Sequence, residues 1–177
     1  SGKIYLILEG ETKTASKIPL WQSLSLFVFS SAIIAHSYLF PELLTNIICL
    51  FLGYLIGSFP TAFLLVKRAK KLDIRESGST NVGAMNAFEV TNSKTVGILV
   101  MLIDILKGTI AVVGIAQLFG WNSGIATGFA GIGAIIGHNY PVWLKFKGGR
   151  GLSTTAGVML VLSWLFVVIW CAVFALG

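Results

Sequence analysis

The sequence predicts an all-α fold: a polytopic integral membrane helix bundle of about five transmembrane helices, with two glycine-rich loops facing the cytoplasm. Three observations carry that expectation. The chain is 55% hydrophobic and only 11% charged, and its mean hydropathy of +0.86 lies far from the soluble average. Five stretches approach the roughly 20 apolar residues that a membrane helix requires. The charge is also segregated, with every Lys and Arg except Lys107 falling outside the apolar stretches.

The first span, Leu20 to Phe40, is the weakest, because Gln22, several Ser residues and His36 dilute it. Pro41 is expected to break the chain before the second, Leu43 to Val66. The remaining spans run from Val96 to Phe119, Ile125 to Leu144 and Ser153 to Leu176. Between the second and third lie Lys67, Arg68, Lys70, Lys71, Arg75 and Lys94, and between the fourth and fifth lie Lys145, Lys147 and Arg150. The alternate connections, around Pro41 and from Gly120 to Gly124, carry no Lys or Arg. The positive-inside rule therefore puts both basic loops in the cytoplasm, together with the N-terminal Lys3, Lys13 and Lys17, and leaves the chain end outside. Trp21, Trp121, Trp143 and Trp164 fall at or near span ends, as interfacial anchors do.

A net charge of +6 asks for anionic partners. Interrupted as it is by apolar spans, it forms no long basic face for nucleic acid, and anionic lipid headgroups and an anionic substrate fit better. Cys49 and Cys171 each lie inside an apolar run and read as small buried thiols. No second Cys or His stands at ligand spacing, so neither a metal nor a cofactor is expected.

The most informative segment runs from Arg75 through Gly78-Ser79-Thr80-Asn81-Val82-Gly83 to Asn86. A cationic approach leads into small and polar residues whose N–H and hydroxyl groups can converge on a phosphate. The alternative is a polar loop ending in a helix cap. A nucleotide-binding P-loop is excluded, since Ala84 and Met85 stand where Lys and Ser or Thr are required. Asp104 and Lys107, three residues apart within the third span, share one helical face. Ionisable groups at that depth mark a polar site or a structural ion pair. In the second basic loop, Lys147, Gly148, Gly149 and Gly151 surround Arg150 and lead through Ser153 to Thr154. They read as a second anion nest at a helix N-terminus, or as a glycine turn with snorkelling cations. Arg150 can grip phosphate with two parallel hydrogen bonds. His138 reads as general base, phosphate ligand or structural hydrogen-bonding group, and His36 as structural. Neither begins a His-x4-Asp acyltransferase signature.

Taken together, three ordered blocks resemble the bacterial membrane acyltransferase family that acylates glycerol 3-phosphate with acyl phosphate. The first runs from Gly57-Ser58-Phe59-Pro60 to the Gly78–Asn86 segment. The second is Asp104-Ile105-Leu106-Lys107-Gly108, and the third is Gly137-His138-Asn139-Tyr140-Pro141 running on to Phe146-Lys147-Gly148-Gly149-Arg150-Gly151. The resemblance covers about Leu52 to Val161. It implies phospholipid biosynthesis in a bacterial inner membrane, with a cytoplasm-facing active site that needs no metal or acyl-CoA. It also implies direct acyl transfer to the 1-hydroxyl of glycerol 3-phosphate, giving lysophosphatidate and phosphate.

Arg150, Asn81, His138 and Lys107 are then the expected catalytic residues. Gly78, Ser79, Thr80, Gly83, Asn86, Asp104, Lys147, Gly148, Gly149, Gly151 and Thr154 would bind substrate. Three positions depart from the pattern: Met85 replaces a usual Thr, Arg150 a usual Lys and Glu89 a usual Arg. The resemblance also implies that 1–42, with one weak membrane span, is an N-terminal extension to the family pattern and that 43–177 is the acyltransferase membrane domain; family members continue through further spans to a cytoplasmic tail, so this domain is expected to be incomplete after Gly177. The competing readings are an organic-phosphate transporter and a noncatalytic membrane subunit. A transporter should show repeated halves and a midplane site, whereas both glycine-rich loops fall at one face and no repeat is present.

Overall fold

The computed structural model describes residues 20–119 and 124–176, all helix and connecting loops. Trp121 and the N-terminal Lys3, Lys13 and Lys17 lie outside the described residues. The chain divides into two compact units, Ser1–Leu44 and Thr45–Gly177.

Within the first unit, helix α1 (Leu20–Gly57) begins, and it presents Leu24, Phe27, Val28 and Phe29 outward. The break expected at Pro41 is absent, for Pro41 lies inside α1. Apart from Glu42, the residues around it, Leu39, Phe40, Leu43 and Leu44, are apolar, and in an apolar surround a continuing helix satisfies more backbone groups than a broken one.

The second unit contains the end of α1 and everything after it. The chain unwinds at Ser58-Phe59-Pro60, because the residue before a proline is pushed out of the helical region. The backbone freed there finds a partner, since Lys107 Nζ donates to the Phe59 carbonyl at 3.1 Å. Helix α2 (Thr61–Lys70) follows, with exposed Lys67, Arg68 and Lys70 in its last turn. A short 3-10 turn, Ile74–Glu76, then leads to α3 (Ala84–Thr91), α4 (Lys94–Phe119) and α5 (Gly124–Asn139). After a second 3-10 turn, Val142–Leu144, come α6 (Leu152–Leu162) and α7 (Trp164–Leu176).

The single span expected from Ser153 to Leu176 is thus two helices. Ser163 separates them with an extended backbone, closing α6 through its N–H to Met159 O at 2.8 Å and accepting the Phe166 N–H at 3.1 Å to open α7. Among the described residues, two stretches are long and apolar enough to cross a membrane, Pro41–Lys70 and Lys94–Phe119.

Helix α4 is the centre of the unit and packs against α2, α3, α5 and α6. Beneath the first loop, Ala62, Val66, Ile74, Val82, Ala87, Val100 and Leu144 form one apolar cluster, and Cys49, Ile115, Ala126 and Ala130 join α1, α4 and α5 in another. Cys49 is buried as expected, but Cys171 is exposed on α7. The α1–α5 contact is unusually close. Gly53 and Gly57 face Gly133 and Gly137, and a Cβ on Gly57 or Gly137 would overlap the Ala134 or Tyr54 carbonyl oxygen across the seam. Small residues four apart on both helices let the backbones meet where lipid supplies no hydrophobic drive.

Candidate active site

The two glycine-rich loops meet on one side of the unit. Val82 N–H donates to Gly148 O at 3.4 Å, and Arg75 Nη1 reaches Leu144 O at 3.4 Å. Beside their junction is a cavity of about 220 Å³ bordered by Asn81, Gly83, Met85, Asp104, His138, Arg150, Gly151 and Ser153. Residues from both loops and two buried helices thus surround one space, although Asn81 and Ser153 are 72 positions apart along the chain.

The first loop is held by Asn86, only 1% exposed. Its Nδ2 donates to Ile74 O, Ser77 O and Asn81 O at 3.2, 3.1 and 2.9 Å, and its Oδ1 accepts the Ser79 N–H at 2.9 Å. Gly78 folds over this side chain with φ of 58°, and a Cβ there would overlap Asn86 Oδ1. Asn86 is therefore occupied as the clamp of the loop. Thr80 N–H likewise goes to Ser77 O at 3.1 Å, while the Ser79 and Thr80 side chains are exposed.

The second loop spends its glycine amides in the same way. Gly148 N–H donates to Asn139 O and Gly149 N–H to His138 O, both at 3.1 Å, capping the end of α5. The expected cradles of loop amides are corrected on this point: most of these N–H groups are used internally, as a loop must pair its own backbone wherever water is excluded. What faces the cavity instead is a pair of helix starts, α3 at Gly83 to Met85 and α6 at Gly151 to Ser153. The first N–H groups of a helix have no intrahelical partner and carry the positive end of its dipole. Two such starts, with Arg150 and Asn81 in the same cavity lining, are an arrangement that can hold an anion. Ser153, Ala84 and Leu152 were not singled out from sequence; their place in the first turn of a helix was the available signal.

The cationic approach divides. Lys67, Arg68, Lys70 and Lys71 are exposed, but Arg75 is committed. Its Nε and Nη2 bind Asp73 Oδ1 and Oδ2 at 3.0 and 2.6 Å, and its guanidinium lies 5.2 Å from the Phe63 ring centre. Hydrogen bonding to Arg75 holds the Asp73 carboxyl down, from the ordinary 3.8 to about 2. Arg75 therefore braces the loop, and no charge is left over on it for capture. Lys147 is exposed and stands apart from the cavity lining. Thr154 is fully buried, with its backbone against Gly108 of α4, and does not border the cavity.

At the cavity floor lie the ionisable residues of the bundle. Asp104 is 1% exposed, Lys107 6% and His138 7%. Lys107 Nζ is 2.9 Å from Asp104 Oδ1, and His138 Nδ1 is 3.7 Å from the same oxygen. The Lys107 approach is an ion-pair distance without hydrogen-bond alignment, and among the described residues neither Asp104 Oδ1 nor His138 Nδ1 has an aligned partner. Lys107 borders a separate void of about 10 Å³ with Ser58 and Thr61, not the larger cavity. Of the four expected catalytic residues, Arg150, Asn81 and His138 share the cavity, and Lys107 stands behind Asp104.

A family model described as glycerol-3-phosphate acyltransferase matches residues 47–177. A glycerol-3-phosphate acyltransferase of Bradyrhizobium diazoefficiens is 43% identical over 124 residues, covering 70% of this chain and 61% of that protein. One from Sinorhizobium fredii is 44% identical over 131 residues, covering 72% and 62%. The crystal structure of PlsY, an integral membrane glycerol 3-phosphate acyltransferase, in its glycerol 3-phosphate form aligns with a TM-score of 0.62 at 36% identity, over 73% of this chain and 66% of that one. Its lysophosphatidic acid form aligns at 0.58 and 34% identity. The chain spans under two thirds of the length of these relatives.

Proposed function

Since the chain belongs to the glycerol-3-phosphate acyltransferase family, we propose that it carries the phosphate-binding part of an enzyme that acylates the 1-hydroxyl of glycerol 3-phosphate. The donor in this reading is acyl phosphate, and the products are lysophosphatidate and inorganic phosphate. The observation that supports it most is the convergence of two helix N-termini with Arg150 and Asn81 on one cavity of about 220 Å³. That is room for a small polar molecule, below the roughly 300–1,000 Å³ of pockets for drug-sized ligands.

An acyl phosphate is already activated, so no protein nucleophile is required. The protein aligns the two phosphate-bearing substrates and stabilises negative charge as it develops on the carbonyl oxygen and the departing phosphate. Arg150 and the first-turn amides of α3 and α6 supply the fixed positive field, and Asn81 the neutral donor. Ser79, Thr80 and Lys147, exposed around the loops, act in substrate capture with the lysines of α2. Gly83 and Gly151 serve through their backbones, while Gly78, Asn86, Gly148, Gly149 and Thr154 keep the two loops in register.

The chain is all-helical in its described residues and belongs to a family with an integral membrane member. In the proposed placement it crosses a bacterial inner membrane about five times, with both loops on the cytoplasmic face, among anionic lipids and without nucleic acid. Residues 1–42 are an N-terminal extension and 43–177 the acyltransferase membrane domain, a division supported by the family match beginning at residue 47.

The test uses the full-length protein containing this chain, in lipid vesicles. Glycerol 3-phosphate with palmitoyl phosphate should yield lysophosphatidate and phosphate without added metal, and palmitoyl-CoA should yield nothing. Robust turnover of the CoA donor, or none of acyl phosphate, would overturn the reading.

A further inference from the structure

At the break between α1 and α2, we infer that the bundle binds one internal water molecule, held by the hydroxyls of Ser58 and Thr61 and by the carboxylate of Asp104. This site is distinct from the anion cavity and does not depend on the reaction proposed for it.

The chain unwinds at Ser58-Phe59-Pro60 and becomes helical again at Thr61, so a helix is interrupted there within an apolar surround. Polar groups at such a break take partners from neighbouring helices or from ordered water. The Phe59 carbonyl has Lys107 Nζ at 3.1 Å. The two hydroxyls beside it are not matched in this way. Ser58 is 0% exposed and Thr61 3%, yet neither Ser58 Oγ nor Thr61 Oγ1 has a hydrogen-bond partner among the described residues, and Asp104 Oδ1 lacks one as well. A buried polar group left unpaired carries its full desolvation cost, so a group of them at one place asks for a ligand.

Ser58, Thr61 and Asp104 all border the same void of about 10 Å³. That is close to the roughly 10–15 Å³ one water requires, and three polar partners are the usual number for a buried water. The charges at the void decide its chemistry. Lys107 also borders it, with Nζ 2.9 Å from Asp104 Oδ1. A cation would meet the ammonium, an anion would meet the carboxylate, and an apolar occupant would leave the hydroxyls unpaired. Water fits because it donates to a carboxylate while accepting from a hydroxyl. His138 Nδ1, unpartnered on the same wall, is already 3.7 Å from Asp104 Oδ1 and needs no water to pair with it. Asp104 borders both this void and the larger cavity, so the water ties the α1–α2 break to the cavity floor.

The full-length protein tests this in two ways. A crystal structure at a resolution that orders solvent should show one peak at about 2.7–3.2 Å from Ser58 Oγ, Thr61 Oγ1 and an Asp104 oxygen. No density there, or a peak with metal-like contacts of about 2.0–2.6 Å, would overturn the assignment. Thermal unfolding in detergent gives a second answer through its sign. Ser58→Ala and Thr61→Val each remove one hydroxyl with little change of shape. Removing a hydroxyl that is buried and unpaired raises Tm, because its desolvation cost goes with it. Removing one that holds a water should instead lower Tm by about 2–4 °C. The Ser58→Ala/Thr61→Val double variant should lose less than the two single losses added, since both hydroxyls serve one water. Thr61→Ser, which keeps the hydroxyl, should keep the density. An unchanged or higher Tm in either single variant, additive losses in the double variant, or loss of the peak in Thr61→Ser would each rule the water site out.

Discussion

Arg150 borders the cavity with an exposed side chain, whereas Arg75, equally basic in sequence, is neutralised by Asp73. A cation left free beside two helix N-termini has an anion as its natural partner. Arg150→Ala is therefore expected to cost about 2–4 kcal/mol of transition-state binding, the scale for removing a charged donor to developing negative charge. Arg150→Lys should cost less, because the point charge survives while the paired hydrogen bonds do not. Steady-state kcat/KM of both variants checks the ranking, and an alanine variant with normal turnover would rule the role out. Arg150, Asn81 and His138 were legible in the sequence because a polar residue next to glycines, between apolar spans, has few structural reasons to be there. Asn86 looked the same, yet its side chain is consumed by four hydrogen bonds to the backbone of its own loop. Only the folded loop separates a donor facing a substrate from one facing a carbonyl.

At the scale of elements, the first loop depends on a local electrostatic brace and the α1–α5 pair on steric fit. Asp73, with its carboxyl lowered to about 2 from 3.8, stabilises the folded loop fully above the higher of these values, and loses that stabilisation as pH falls through the lower. The Asp73 carboxyl should therefore titrate near the lower value by NMR in the native protein. It should return toward the ordinary carboxylate range in Arg75→Gln, and an unchanged midpoint there would contradict the brace. Across the helix seam, Gly57→Leu places a side chain into the Ala134 carbonyl. Overpacking of this kind costs about 1–3 kcal/mol, and backbone overlap puts the change at or beyond the upper end. Thermal unfolding in detergent should show the loss, while Gly114→Ala, with open space around its Cβ position, should be nearly silent. The helical runs themselves were readable from hydropathy. Their interruptions were not, since Pro41 is absorbed within α1 while Ser58–Pro60 and Ser163 interrupt the helices.

For the whole molecule, the Lys and Arg asymmetry and the Val82–Gly148 contact both agree with the proposed placement of the two loops at one membrane face. Single cysteines at Lys71 and Lys147, both exposed, should react with an impermeant thiol reagent only when the cytoplasmic face is open. Labelling from opposite sides would sink the topology and the shared cavity with it.

The sequence by itself determined the solvent, the helical class and which polar segments lie between spans, because hydropathy and charge act residue by residue along the chain. The tertiary structure decided which of those polar groups remain available. The amide of Ser79 is spent on the Asn86 side chain and those of Gly148 and Gly149 on the end of α5, the first turns of α3 and α6 face the cavity, and Lys107 stands behind Asp104. Hydrogen bonds and ion pairs are satisfied between residues far apart in the chain, so their accounting closes only when the helices are packed.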